Sequence, residues 1–428
     1  MQGLSVRTRA AAKEALAGRR RGLRALLPFM GPALIASVAY MDPGNFATNI
    51  QGGAEYGYKL LWVVVFANLT AMLFQSLSAK LGITTGKNLA ELCRDRFARP
   101  VVMGMWGISE VAAMATDLAE LLGAALGLNL LFHIPLLWGA GIAAVATYGI
   151  LSLQRHGFRP IEAFIGVLVG VMAASYLAET FFARPDWGSV LQGALVPNLA
   201  DSGAVLLAVG IVGATVMPHA IYLHSGLTQD RVVAENVGDR RKILHFSNID
   251  VLAALTLAGL VNLAMMYMAA STFHLHHAGV SDITTAYLTL TPLLGGAAAA
   301  VFLVSLLASG LASSAVGTMA GQVIMQGFVK RQIPLWVRRV VTMAPTLVVI
   351  AIGVNVTQAL IVSQVVLSFV LPVPVIALVM FTSNRGLMGD LANGRLTSVV
   401  AIACSGAILV MNAALLWLTL GGRLPFIG

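Results

Sequence analysis

The sequence predicts an all-α membrane protein of eleven spans, and three features predict it: an apolar composition, a succession of segments long enough to cross a bilayer, and basic residues gathered in alternate loops. Of the 428 residues 58% are hydrophobic and 11% charged, with a mean hydropathy of +0.84. A soluble surface does not tolerate that ratio, so the bilayer is the solvent. A span needs about 20 mostly apolar residues to cross a ~30 Å hydrocarbon core. Such segments fall at 27–50, 57–82, 101–126, 134–153, 160–183, 203–226, 248–271, 295–326, 340–354, 358–383 and 396–420. The joints between them are too short for a soluble domain of ordinary size.

The net charge of +9 does not indicate nucleic acid, because the basic residues sit in short loops and not on a face interleaved with aromatics. Lys87, Arg94, Arg96 and Arg99 follow the second span, Arg155 and Arg159 the fourth, and Arg231, Arg240, Arg241 and Lys242 the sixth. Lys330, Arg331, Arg338 and Arg339 follow the eighth, and Arg385 and Arg395 the tenth. The other loops are nearly free of Lys and Arg, with Lys59 and Arg184 as the main exceptions. By the positive-inside rule the N-terminus is cytoplasmic, the C-terminus is outside, and residues 1–26 are a basic cytoplasmic tail. The segment 272–295, with His274, His276, His277 and Asp282, reads as an external loop carrying a short surface helix. Cys93 and Cys404 stand far apart in sequence and outside any CxxC pair, which argues against a disulfide framework and a zinc–thiolate site. The expected partner is the lipid bilayer of the cell membrane, with no obligate protein partner and no nucleic acid.

Two spans are interrupted in the middle. The first carries Asp42, Pro43, Gly44 and Asn45 near its centre, and the sixth carries Met217, Pro218 and His219. Five spans apart, they run in opposite directions, the pattern of two inverted five-span repeats (27–183 and 203–383) followed by an eleventh span (396–420). A pair of ordinary proline kinks is the plainer reading, and the matching positions and adjoining polar residues weigh against it.

An aspartate at the centre of a span costs roughly 2.5–3.5 kcal/mol on insertion scales, so Asp42 calls for a cation or a proton. Asn45 lies one turn on. Pro218 has no N–H to give the Ala214 carbonyl, which is left free to face a ligand. Carboxylate, amide, carbonyl and thioether would then converge on one ion, and the Met217 sulfur would turn selectivity away from hard Ca²⁺ and Mg²⁺. Met217 is equally a packing residue by type. In the third span Glu110, Asp117 and Glu120 share nearly one helix face, with Arg338 and Arg339 as counter-charges; the row reads either as a proton path or as a structural ion-pair network. His219, at the break, is the better proton relay of the two histidines in the sixth span. His224 lies five residues on, so the two rings point apart, unlike the zinc pair of HExxH, and the chain is not expected to be an enzyme.

These residues resemble the Nramp family of proton-coupled divalent metal transporters. The resemblance rests on Asp42-Pro43-Gly44-Asn45, on Ala214-Thr215-Val216-Met217-Pro218-His219, and on the wider stretches AMATDLAELLGAA, GTMAGQVIMQGF and IPLWVRRVVTMAP. It implies a LeuT-like fold of two inverted five-helix repeats plus an eleventh helix. It implies metal ligands at Asp42, Asn45, the Ala214 carbonyl and Met217, with Gln364 joining in some conformations. It implies a proton pathway and salt bridges through Asp117, Glu120, Glu110, His219, Arg338 and Arg339, and accessory polar positions at His224 and Asn262. The metal would be substrate and not a resident cofactor, with Mn²⁺ or Fe²⁺ imported with protons and Co²⁺ and Cd²⁺ as further cargo. A sodium-coupled carrier of an organic solute on the same fold is the alternative, against which a carboxylate at Asp42 speaks. Two departures from the family pattern are Ser368-Phe369-Val370-Leu371-Pro372 in the tenth span and Ile108-Ser109-Glu110 in the third.

Overall fold

The computed structural model describes residues 6–153, 157–229, 231–232, 234, 236–274, 282–331 and 333–423. Arg155, His276 and His277 lie outside the described residues. Two short helices, α1 (Val6–Leu16) and α2 (Leu23–Leu26), precede the first span, which is split into α3 (Pro32–Val38), a 3-10 turn and α4 (Pro43–Tyr56). The next four spans are α5 (Leu61–Thr85), α7 (Arg99–Phe132), α8 (Leu136–Ser152) and α9 (Phe158–Ala183), with α6 (Leu89–Arg96) in a loop. Helix α10 (Trp187–Leu195) leads to the split sixth span, α11 (Ser202–Thr215) and α12 (Pro218–Thr228). Then come α13 (Val237–Phe273), the short α14 (Ile283–Leu294), α15 (Gly296–Val329) and α16 (Leu335–Ala351). The tenth span is α17 (Val356–Val370) with α18 (Pro372–Ser383), and after α19 (Arg385–Met388) the eleventh is α20 (Arg395–Thr419).

Among the described residues, eight helical stretches are long and apolar enough to cross a membrane, and Pro32–Met41 and Leu136–Ser152 are shorter apolar helices. One of the eight runs from Pro43 to Thr85 and so holds half of the first span and all of the second. Helices extend past the apolar runs where polar caps allow. Asn236 accepts the Asp239 N–H and starts α13 eleven residues before the expected 248. Helix α16 begins at Leu335 and not at 340, so Arg338 and Arg339 stand inside its first turns. The expected tail is helical over α1 and packs Ala12, Ala15 and Leu16 near Ile243 of α13, with Lys242 Nζ donating to the Leu16 carbonyl at 2.6 Å.

The two split spans lie against each other in opposite directions, and α7 packs along its counterpart α15, each 34 residues long. The sixth span is almost wholly buried and α20 is the most peripheral. On the side of the basic loops, Asp250 Oδ2 accepts the N–H groups of Gly31 and Ala33 at 3.1 and 3.0 Å. Glu162 there pairs with Arg231 at 2.6 Å and Arg159 at 3.0 Å, and both arginines also donate to carbonyls of residues 27–30. The start of the first span is thereby held by charges from three other elements.

Proline acts differently in the three interrupted spans. Its ring disfavours the α region for the residue before it, and Asp42 (φ −78°, ψ 168°) and Met217 (φ −73°, ψ 126°) are indeed extended. Leu371, before Pro372, keeps helical angles (φ −51°, ψ −38°), so the tenth span is only interrupted locally. Pro372 leaves the Ser368 carbonyl without its helical donor. Asn412 of α20 fills the gap: its Nδ2 donates to that carbonyl at 2.8 Å and its Oδ1 accepts from the Ser368 hydroxyl at 2.8 Å. The eleventh helix is thus stitched to the tenth at one residue of the departed motif. Asn412→Leu is expected to lower stability by about 1–3 kcal/mol, the cost of buried polar groups left unpaired. Thermal unfolding in detergent measures it, and an unchanged midpoint would show that the clamp holds nothing.

Candidate metal site at the two helix breaks

The breaks meet at the centre of the bundle, where Asp42, Asn45, Ala214, Met217 and Gln364 are all fully buried. Asp42 caps α4, with Oδ1 accepting the Asn45 N–H at 2.9 Å, while Oδ2 has no hydrogen-bond partner. The Asn45 amide bridges the two broken spans: Nδ2 donates to Asp42 Oδ1 at 2.7 Å and to the Ala214 carbonyl at 2.9 Å. Sequence reasoning left that carbonyl free; the structure gives it a side-chain donor from the other repeat. Asn45 Oδ1 accepts from the Thr215 hydroxyl at 3.1 Å. Turning this amide over would bring its oxygen beside Asp42 and the Ala214 carbonyl, an all-oxygen arrangement that only a cation satisfies.

Gln364 reaches the same point from α17. A Cβ on Gly44 would stand 2.0 Å from Gln364 Nε2, so a side chain there would push Gln364 away from the break. Gln364 Nε2 donates to the Ser363 hydroxyl, and its Oε1 is buried without a partner. Met217 is the N-cap residue of α12 and makes no side-chain hydrogen bond, which leaves its sulfur uncommitted. Among the described residues no cluster of three or more His, Cys, Asp or Glu side chains is placed to hold a metal. An ion bound here would rest on a mixed set of one carboxylate, amides, a carbonyl and a thioether. The field favours a cation: the C-terminal ends of α11 and of the first half-span carry partial negative charge, and Asp42 covers the positive end of α4.

The remaining carbonyls of the first break are also engaged by side chains. Asn262 Nδ2 donates to Tyr40 O at 2.7 Å, and the Ser309 hydroxyl donates to Met41 O at 2.5 Å. Asn262 Oδ1 accepts from Asn49 Nδ2 at 3.2 Å, so one residue of α13 holds the chain on both sides of the break. It is fully buried in this structure. His224 meets Gln75 of α5 at 2.8 Å, and Gln75 Nε2 donates to the Tyr40 hydroxyl. His219 turns the other way, with Nδ1 3.1 Å from the Thr116 hydroxyl of α7 and Nε2 unpartnered.

Thr116 adjoins Asp117, and from there the acidic row runs along α7. Asp117 lies 3.7 Å from Arg339, which also donates to Thr318 and Ser314 of α15. Glu110 pairs with Arg338 at 3.1 Å and accepts from Trp106 Nε1. Glu120 has a buried oxygen without a partner, and a Cβ on Gly317 would stand 2.7 Å from its carboxylate; that glycine lets the acid lie flat on α15. Ser109, the departure beside Glu110, donates to the Met105 carbonyl at 2.8 Å and sits 3.3 Å from the Tyr222 hydroxyl. Thr116, Gln75, Thr215, Asn49 and Ser309 were not singled out from the sequence. Their only signal there is a polar residue inside an apolar span, which short hydroxyl side chains give weakly.

On the side away from the basic loops, the Tyr56 hydroxyl donates to Asp201 Oδ1 at 2.6 Å and ties the end of α4 to the start of α11. That hydroxyl, and then the Ala204 N–H, hold the Asp201 carboxyl below the usual carboxylate range. The stabilisation is present above that range and is lost only as pH falls through the depressed value, so this latch stays charged in mild acid.

Paired breaks in two oppositely directed spans, closed around a buried mixed-donor centre, define a carrier of the inverted-repeat class. The family model described as natural resistance-associated macrophage protein-like matches residues 33–418, and the chain belongs to the Nramp family. It is 60% identical over 419 residues to a divalent metal cation transporter MntH of Verminephrobacter eiseniae, covering 98% of this chain and 95% of that protein. It is 53% identical over 405 residues to the divalent metal cation transporter MntH of Deinococcus radiodurans, with 94% and 92% covered. The fold matches the solved manganese transporter of Eremococcus coleocola with a TM-score of 0.83 at 34% identity, over 92% of this chain and 87% of that one. The fold alone is shared with Mhp1, a nucleobase-cation-symport-1 family transporter, at a TM-score of 0.59 and 15% identity over 94% of each chain. The architecture expected from the sequence, two inverted five-helix repeats and an eleventh helix, is the one observed.

Proposed function

We propose that this multi-pass membrane protein imports divalent transition metal ions, Mn²⁺ or Fe²⁺ foremost and Co²⁺ and Cd²⁺ besides, together with protons and by alternating access. The observation that carries the reading is the buried centre where an unpartnered Asp42 oxygen, the Asn45 amide, the Ala214 carbonyl, Met217 and Gln364 Oε1 belong to three different spans. Ions held between elements of both repeats are released when the repeats rock apart. Asp42, Asn45, Ala214, Met217 and Gln364 are the ligands in this reading. His219 passes protons to Asp117 and Glu120, and Glu110, Arg338 and Arg339 complete the route. The relatives named as divalent metal cation transporters support the cargo.

The test is Mn²⁺ uptake into proteoliposomes with and without an inward proton gradient. Uptake that rises with the gradient is expected, and uptake indifferent to it would remove the protons from the reading. The basic loops are placed in the cytoplasm. Single cysteines at Arg240 and Arg385 should react with an impermeant thiol reagent only in permeabilised cells, and one at Ser189 in intact cells. The reverse pattern would invert the orientation.

A further inference from the structure

Helix α9 carries a carboxylate that no other described residue pairs. Glu179 is fully buried, and neither side-chain oxygen has a hydrogen-bond partner. It lies one turn from the end of α9, on the side away from the basic loops. One turn earlier, Tyr176 is buried with an unpartnered hydroxyl, and its ring packs edge-on to Phe46 with centroids 5.6 Å apart. Phe46 follows Asn45 directly and also meets Phe302 of α15 at 6.1 Å. The three rings form one aromatic cluster that joins α9, α4 and α15 beside the first break.

Among the described residues no positive charge faces it. The helices packed most closely on α9 are α15, α13 and α3, and α4 meets it through Phe46. Neither α15 nor α3 contains an Asp, Glu, His, Lys, Arg, Tyr or Cys. Helix α13 presents Tyr267, committed to Thr180 of α9 at 2.7 Å, and at its end His274, committed to the Ala54 carbonyl. On α4 the titratable groups are Glu55 and Tyr56, with Asp42 as its cap, and Arg184 beyond the end of α9 is exposed. One carboxyl with a neighbouring hydroxyl is too poor in donors for a divalent ion, which takes at least four ligands. It is sufficient for a proton, and a neutral acid is the form such an apolar site accepts.

We propose that Glu179 is a second proton-carrying group, on the far side of the metal centre from the Asp117–Glu120 row, protonated while the helices around it are closed and exchanging its proton with external water when they part. The exchange balances simply: the carboxyl O–H bond breaks to give carboxylate and hydronium, and reforms from hydronium before closure. This rests on the proton-coupled reading above.

The experiment uses full-length protein, wild type and with Glu179→Gln or Glu179→Asp, in proteoliposomes. Glutamine copies the neutral acid in shape, so the fold should survive. Infrared difference spectra of wild type against Glu179→Gln should show the carbonyl stretch of a protonated acid, and its absence overturns the proposal. The rise in Mn²⁺ uptake between external pH of about 7 and about 5 should fall by about threefold or more in Glu179→Gln and return in Glu179→Asp, while Mn²⁺ affinity stays within about twofold. A Glu179→Gln profile that superimposes on wild type also overturns it. Proton-driven uptake by the wild type is measured beside these, so failure of the coupled reading is seen separately from failure of Glu179.

Discussion

Asp42→Asn is expected to abolish metal uptake, with the protein still inserted and folded. Asparagine keeps the size of the side chain and an oxygen able to cap α4, so the break at Pro43 retains its geometry. What it loses is the charge. A −1/+2 pair about 4 Å apart at an effective dielectric of ~20 is worth roughly 8 kcal/mol before desolvation. If only a third of that survives desolvation, affinity falls about 100-fold. The Asn45 amide, the Ala214 carbonyl and Met217 are neutral, so nothing else at the centre replaces the lost charge. Mn²⁺ uptake by Asp42→Asn at wild-type rates and equal protein density would dismiss the site, and with it the assignment of Gln364 and Met217.

The second large effect falls on selectivity. Met217→Ala should change which ions are carried more than how fast they are carried. The thioether is cheap to desolvate and suits soft ions, and without it the site is left with oxygens that suit Ca²⁺ and Mg²⁺. Met217 is fully buried at the first residue of the α12 cap with no polar commitment, so packing is the competing role. The two roles differ in outcome. A packing residue, once truncated, costs about 2–5 kcal/mol of stability and scales the uptake of every ion alike. A ligand, once removed, lowers the ratio of Cd²⁺ to Ca²⁺ transport. Reconstitution at equal density separates them, and an unchanged ratio would strike Met217 from the ligands.

Much of the molecule was legible in the chain because the bilayer leaves few choices. Backbone groups in hydrocarbon must be satisfied within a helix, so apolar runs of sufficient length read directly as spans. Their ends were less legible: α13 starts well before its apolar run and α16 takes in Arg338 and Arg339, since caps and ion pairs extend helices beyond the slab. The two breaks were legible because Asp42-Pro43 and Met217-Pro218 combine a proline with a chemically active neighbour. The same reasoning did not distinguish Leu371-Pro372, which stays helical, with Asn412 taking over the orphaned carbonyl.

Sequence by itself determined the class of fold, the pairing of the breaks and the residue types able to meet there, because span length, charge alternation and proline position act locally. Only the tertiary structure decided who satisfies whom. Asn45 bridges to Ala214 across 169 residues, Asn262 holds Tyr40 across 222, and Arg338 finds Glu110 across 228. Those partners are set by which helix faces pack together, and the polar residue at each end carries the same letter whether it is paired or, like Glu179, left alone.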